Sequence, residues 1–172
     1  MSKLEVNTIA PRTGTAVTLG ETGDTINLGT GVSSGTGMGK ILQVQQASNT
    51  NAHTTTSSSF TTIETVNITP QYANSIIKLT FTGRSYTAVL TVEHGSRFVR
   101  DSTELETYLG QWTANGATAQ RETFEFYDTP NTTSQITYKF EHRVISAGNQ
   151  MHFSPNGAGD GGVYLTAMEI AQ

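Results

Sequence analysis

A nine-residue repeat near the start of the chain limits what its first forty residues can form. Residues 13–21 and 22–30 both follow the pattern Thr-Gly-x-x-(Val/Ile)-x-Leu-Gly. In each copy two apolar residues stand two positions apart, which places them on one side of an extended strand between glycine turns. These residues are Val17, Leu19, Ile26 and Leu28. Each copy therefore offers one short apolar edge and no partner of its own to bury it.

The energetics of residues 1–39, called the leader below, predict that it needs partners. Ordering its backbone costs about 40 to 80 kcal/mol of conformational entropy. Each large apolar side chain returns only about 1.5 to 3 kcal/mol when fully buried. The leader therefore orders against other copies of the chain wound about a shared axis, or inside a larger assembly. The alternative is a flexible threonine and glycine segment.

Composition narrows the classes of function. The chain has 172 residues, enough for one ordinary core with an appendage. A net charge of -4 with 14% charged residues provides no basic stripe, so we expect no nucleic-acid partner. Cysteine is absent, which excludes disulfides and thiolate metal sites. No apolar run of about eighteen residues occurs, so we expect no membrane insertion.

The composition changes at a glycine-rich stretch, residues 29–39, which is typical of a linker. We therefore expect two parts. Residues 1–39 form an extended anchor and oligomerisation segment, and residues 40–172 form a head domain.

Beyond the linker, apolar residues alternate with polar ones almost everywhere, which is typical of half-buried antiparallel strands. The alternating sets are Leu42 and Val44; Ile77, Leu79 and Phe81; Tyr86, Ala88, Leu90 and Val92; Phe124 and Phe126; Ile136, Tyr138 and Phe140; Met151 and Phe153. The spacing predicts an all-β sandwich of seven to nine strands.

Three segments carry more specific predictions. Residues 162–170 are apolar on both faces, which predicts a central strand with one face available to a neighbouring subunit. Ile63 is out of phase with Val66 and Ile68, which predicts a bulge. Residues 101–109 fit either a capped helix or a turn that leads into a strand.

Several motifs resemble catalytic signatures without their required context. Residues 31–35 match Gly-x-Ser-x-Gly and residues 157–162 match Gly-x-Gly-x-x-Gly, but no helical pattern follows either, so both are expected to be loops. Two glutamate pairs have the composition of a glycosidase site, but nearby glutamates on exposed strands are usually solvated. The pairs are Glu104 with Glu106 and Glu122 with Glu125. We expect no catalytic residue, cofactor or enzyme activity.

The four histidines, His53, His94, His142 and His152, lack the spacing of metal ligands. A hairpin would bring only His142 and His152 together. His142 also continues the phase of Tyr138 and Phe140, which places it at the edge of a core face. We expect no metal site.

Trp112 and Asn115 are the candidate surface-recognition residues, because an aromatic ring beside amides and a turn suits contact with a carbohydrate or protein. The alternative is a tryptophan that caps the sandwich core.

Several patches of the chain resemble structural proteins of tailed bacteriophages, especially marine ones, of the tail-fibre or virion type. These patches are residues 2–11, 17–20, 40–44, 128–134 with Tyr138, and 165–170. Such proteins are often trimers with jelly-roll heads similar to those of tumour necrosis factor and the complement head domain. The resemblance implies a homotrimer on the exterior of a virion.

The resulting expectation is a non-enzymatic virion protein, a trimeric short fibre. Its leader would contact other virion proteins, and its head would contact a host glycan or surface protein. One alternative is a capsid decoration (cement) protein that stabilises the shell. A second is a spike enzyme that degrades polysaccharide.

Overall fold

The computed structural model of the chain describes residues 40–87, 91–113, 118–145, 150–154, 159 and 161–172. The predicted leader, its repeat and its axis residues Val17, Leu19, Ile26 and Leu28 lie outside the described residues, as does Asn115.

The described residues form ten strands and no helix. The strands are β1 (Ile41–Asn49), β2 (His53–Thr55), β3 (Thr61–Ile68), β4 (Ile76–Thr87), β5 (Thr91–Arg100), β6 (Thr103–Thr113), β7 (Thr118–Asp128), β8 (Ile136–Val144), β9 (Met151–Phe153) and β10 (Val163–Ile170). The all-β prediction is confirmed. The strand count exceeds the predicted seven to nine because β2 and β9, three residues each, pair with one another.

The strands pair antiparallel in two sheets. In sheet A the order is β1, β10, β4, β7, and the short pair β2–β9 continues the layer beyond Val163, the first residue of β10, beside Ser85 and Tyr86 of β4. In sheet B the order is β3, β8, β5, β6. With β1–β2 and β9–β10 each counted as one interrupted strand, two four-stranded layers result. This is the connectivity of a jelly roll, which confirms the predicted jelly-roll-like sandwich.

The core lies between the two sheets and follows the period-two pattern. The Phe81 ring of sheet A stacks on the Phe140 ring of sheet B, with centroids 3.7 Å apart. Phe98 meets Phe140 edge-on at 5.2 Å. All three rings are fully buried, and burial of each stabilises the fold by about 1.5 to 3 kcal/mol. These aromatic contacts join the two layers.

Strand direction gives the sandwich two poles. The terminal pole holds Lys40 and the chain end, whose Ala171 amide donates to the Lys40 carbonyl at 2.9 Å. It also holds loops 69–75 and 129–135, since β3, β7 and β10 all end there. The loop pole lies at the opposite strand ends, where Thr87 of β4 pairs with Thr118 of β7.

Three segments were predicted individually. β10 is a central strand between β1 and β4, as expected. The register of β3 against β8 shifts between Thr62 and Glu64, so the predicted bulge at Ile63 is confirmed. At residues 101–109 the turn is the correct alternative, because Asp101 has a φ of 54° and β6 follows.

One alternation predicted a strand that is too long. The pattern from Tyr86 to Val92 continues without a break, but β4 ends at Thr87 and β5 begins at Thr91 in the other sheet. Period two persists across this connection, so the sequence carries no signal for the chain reversal.

Candidate functional site

The core changes from aromatic to polar towards the loop pole. On the inward face of β8, Tyr138 and Phe140 are followed by His142, and each is fully buried. Other buried polar residues of this region come from β4, β5 and the end of β9. They are Ser85, Thr87, His94, Ser96 and Ser154. Buried polar side chains cost stability unless they are paired, so this cluster is the first place to look for a site.

His142 lies at the centre of the polar cluster. Its Nδ1 atom is 2.9 Å from the Ser96 Oγ atom on β5, and its ring meets the Phe153 ring edge-on at 5.0 Å. Burial, and to a smaller extent the neighbouring His94, lowers the pKa of His142 to about 3. The imidazole is therefore neutral at physiological pH. Its Nε2 atom is buried and has no hydrogen-bond partner among the described residues.

His94 packs beside His142, with ring centroids 5.3 Å apart. Burial lowers the pKa of His94, and the Glu122 carboxylate opposes that shift. The His94 ring fits because residue 110 on β6 is glycine: a Cβ atom there would lie 2.7 Å from His94 Nε2. Gly110 thus makes room for a histidine inside the sandwich.

A pocket of about 140 Å³ opens beside His142, between β2–β9 of sheet A and β3–β8 of sheet B. Its floor is buried and consists of Ile63, His142, Met151 and Phe153. Its rim is half-buried or exposed and consists of His53, Thr54, Thr55, Thr61 and Thr62.

His53 brings a second imidazole to the pocket. Its Nε2 atom is buried and, like that of His142, has no hydrogen-bond partner within the described ranges. Burial lowers the pKa of His53, although the Glu64 carboxylate opposes the shift. Two neutral imidazoles therefore each carry one unused nitrogen at one small pocket.

The structure does not bring His142 and His152 together. His152 lies on the outer face of sheet A, where its Nδ1 atom is 2.8 Å from Thr54 Oγ1 and its ring is near Tyr86. His142 points inward and shares its surroundings with His94 and His53. The alternation in β9 agrees with this outward position of His152, because Met151 and Phe153 on either side of it are buried. Within the described residues, no three histidine or acidic side chains are placed to hold a metal ion.

Of the four glutamates in these pairs, Glu104, Glu106 and Glu125 are exposed and Glu122 is half-buried. Glu125 lies on the outer face of β7 and forms a 2.8 Å ion pair with Lys78, which lowers the pKa of Glu125. Glu122 has the opposite phase, beside the inward Phe124, so Glu122 and Glu125 do not share a face.

In the other pair, hydrogen bonds from Thr107 and Arg97 lower the pKa of Glu104, and Glu106 is exposed. These shifts run opposite to the raised pKa of a glycosidase acid.

Glu169 is a buried residue with a structural role that was not predicted from the sequence. It is fully buried at the terminal pole and accepts hydrogen bonds from Ser75 Oγ and Gln43 Nε2, at 2.7 and 2.6 Å, and from the Gln71 and Tyr72 amides. Burial alone would raise the pKa of Glu169, but these hydrogen bonds outweigh it and lower the pKa. The available signal was an acidic residue at an inward position of an apolar strand.

Trp112 belongs to β6, where its backbone is opposite Val92 near the loop pole. Its side chain and the whole of Asn115 lie outside the described residues, so surface recognition by this pair stays a prediction. The Gly-x-Gly-x-x-Gly motif leads directly into β10 and is not followed by a helix. No described helix is long and apolar enough to cross a membrane.

Three solved structures show weak similarity to this chain. No family model matches the chain, and no curated protein matches it. Dimeric latent PorU from Porphyromonas gingivalis matches at a TM-score of 0.36 and 8% identity, over 62% of this chain and 10% of PorU. A protein of an infectious bursal disease virus (IBDV) particle matches at a TM-score of 0.45 and 13% identity, over 85% of this chain and 39% of the viral chain.

The Gx strain of infectious bursal disease virus matches at a TM-score of 0.41 and 16% identity, over 87% of this chain and 41% of the viral chain. This chain thus spans less than half the length of each of these proteins. At such TM-scores and identities the matches carry no argument about function, and the jelly-roll assignment rests on the strand order.

Proposed function

We propose that the chain is a non-enzymatic structural protein of a tailed-phage virion, a trimeric short fibre anchored by its leader and binding the host surface with its head. The observation that carries the proposal is the polarity of the head. Lys40, where the leader joins, lies at the terminal pole, whereas the polar pocket and the Trp112 end of β6 lie towards the loop pole. An attachment protein needs this separation of anchor and recognition surface.

The patches that resemble phage proteins support the idea that this chain shares a structural scaffold with those proteins. Residues 41–44 pair with residues 168–170 across a register shift between Ile41 and Gln43, with Val44 opposite Met168. Within the patch at residues 128–134, the Asp128 carboxylate accepts a hydrogen bond from Tyr138. These patches therefore converge on the terminal pole, where they hold the jelly roll together. Jelly rolls occur in viral shells and in lectins, although a fold alone does not define a function.

The leader and one surface of the head support the proposed trimer. The leader's apolar pairs have no partner within a single repeat, so three copies around an axis would bury them. On the head, Ile41 and Val44 of β1 are 54% and 50% exposed beside the outward Met168 and Ile170 of β10. This apolar surface begins one residue after Lys40, so subunit contacts made by the leader would continue onto the head.

A decoration protein is the second candidate. The position of the leader junction favours it, because this junction and the exposed apolar edge of β1 lie at one pole and would together contact a shell. Such a protein predicts that particles lacking it lose resistance to heat or salt. A short fibre predicts that the soluble chain adsorbs to host cells.

Labelling intact particles with an antibody against the chain tests the proposal. A short fibre requires label at the tail or at fibre tips, and a decoration protein requires label over the capsid. Particles without label would contradict both virion roles. Release of sugar from host polysaccharide by the purified chain would contradict the non-enzymatic assignment.

A further inference from the structure

The pocket beside His142 has the features of a ligand site rather than of a packing defect. Two buried nitrogen atoms, His53 Nε2 and His142 Nε2, have no hydrogen-bond partner in the described part of the chain, and both residues line the same pocket. An unsatisfied buried polar atom lowers stability, and a folded protein usually pairs such atoms. Because both nitrogens are buried, a ligand hydroxyl would pair with them after a small movement of the pocket lining, and so supply the missing partners.

The chemistry of the lining selects a neutral, hydroxylated ligand. A neutral imidazole has one donor nitrogen and one acceptor nitrogen, so the free Nε2 of His142 donates or accepts according to the proton position at Ser96. A hydroxyl group satisfies either state because it can both donate and accept. The threonine rim offers further hydroxyls. Since Glu64 acts electrostatically on His53, an anion is disfavoured.

The size and the apolar floor point to a sugar ring. A cavity of about 150 Å³ admits benzene, so the 140 Å³ pocket holds one six-membered ring whose substituents project through the rim. Ile63, Met151 and Phe153 provide an apolar surface for the C–H face of the ring, and the imidazoles and threonines contact its hydroxyls. Most small-ligand sites combine an apolar lining with a few polar groups in this way.

We infer that this pocket binds the ring of a neutral monosaccharide unit, with His53 and His142 as hydrogen-bonding residues. The inference rests on the proposed function, since it names the chemical class that the head recognises. It places recognition inside the sandwich, between β2–β9 and β3–β8, in addition to the Trp112 region.

The test is a titration of the full chain with neutral methyl glycosides of glucose, galactose and mannose. Binding is detected through the imidazole signals of the four histidines in NMR spectra. At least one glycoside should shift the His53 and His142 signals in a saturable manner and leave His152 unchanged. Glucuronic acid should bind more weakly than its neutral counterpart. No shift with any neutral glycoside, or saturable binding of Zn²⁺ alone, would overturn the inference.

Three matched substitutions provide the controls. His53→Phe and His142→Phe keep an aromatic ring and remove its nitrogens, so each should weaken glycoside binding about tenfold, the equivalent of one hydrogen bond. Tyr72→Phe changes an exposed aromatic ring in the loop before β4, at the opposite pole, and should bind normally. If His142→Phe fails to fold, His53→Phe still decides the outcome, because His53 lies on the half-buried rim.

Adsorption to host cells separates the two proposals. If the unaltered chain adsorbs and the His53→Phe chain adsorbs equally well, the pocket inference fails and the attachment function stands. If glycosides bind in the pocket but the chain neither adsorbs to cells nor occurs on particles, the attachment function fails and the pocket stands.

Discussion

The phenol of Tyr138 donates a 2.6 Å hydrogen bond to the Asp128 carboxylate, which also accepts two 2.9 Å hydrogen bonds from Arg100. Tyr138 is fully buried, and burial together with Asp128 raises its pKa well above the usual range. The interaction ties β8 to the end of β7 and so joins the two sheets at the terminal pole.

Removing this phenol should destabilise the head. Tyr138→Phe loses one hydrogen bond to a charged acceptor and should lower the free energy of unfolding by about 1.5 to 3 kcal/mol. Urea denaturation of the full chain measures the change. Tyr72→Phe is the control, because Tyr72 is 56% exposed, and it should change stability by less than about 0.5 kcal/mol. Equal effects of the two variants would contradict this role of Tyr138.

Glu169 should be equally intolerant of change. Glu169→Gln keeps the size of the side chain but replaces one acceptor oxygen with a donor that faces another donor, either Gln43 Nε2 or Ser75 and the backbone amides. The expected loss is about 2 to 4 kcal/mol, since buried donors lose their charged partner. Thermal or urea unfolding measures it. Glu106→Gln changes an exposed glutamate on β6 and serves as the control. A loss no larger than that of the control would show that the Glu169 contacts contribute little.

Acid should destabilise the loop pole through His142. Its pKa is about 3 in the folded chain and about 6.5 in the unfolded chain. The unfolded chain therefore binds the proton first as pH falls. The stability that neutral His142 contributes is complete above pH 6.5 and decreases as the pH falls towards 3. By pH 5 the loss from His142 amounts to about 2 kcal/mol.

Urea midpoints at pH 7 and pH 5 test this pH dependence. His142→Phe removes the titrating group and should show a smaller decrease between the two pH values than the unaltered chain. Tyr72→Phe is the control, because Tyr72 is an exposed ring in the loop before β4, and it should show the same decrease as the unaltered chain. The same decrease in the His142→Phe chain as in the unaltered chain would assign the acid sensitivity to other groups.

Gly110 should not tolerate a larger residue. In Gly110→Ala the new Cβ atom would lie 2.7 Å from His94 Nε2, so the ring must move within the packed interior. We expect a loss of about 1 to 3 kcal/mol. Gly95→Ala on the neighbouring strand meets Leu109 and Arg143 side-chain atoms at 3.3 Å, and the exposed Leu109 can adjust. A smaller effect at residue 110 than at residue 95, measured by urea unfolding, would contradict the packing described for His94.

The alternation of the sequence predicted the parts of the fold that depend on local pattern. Ile77, Leu79 and Phe81 face the core as expected, and β10 is central because both its faces are apolar. The connection at residues 88–90 was not predicted, because the same period continues on both sides of it.

The candidate site could not be predicted because its residues are distant in sequence. His53 and His142 are brought to one pocket by pairing of β2 with β9 and of β3 with β8. Glu169 is surrounded by donors from β1 and from the loop before β4, about a hundred positions away. A single sequence shows the phase of each strand but not which strands lie opposite each other.

The central claim is that the leader acquires its structure through association with other copies, and the molar mass of the full chain in solution tests it most directly. Light scattering should give three times the chain mass of 18.5 kDa. The double variant Leu19→Asp with Leu28→Asp removes the apolar contacts of both repeats and should reduce the mass to that of one chain. A full chain that is monomeric, or a double variant with unchanged mass, would contradict the account.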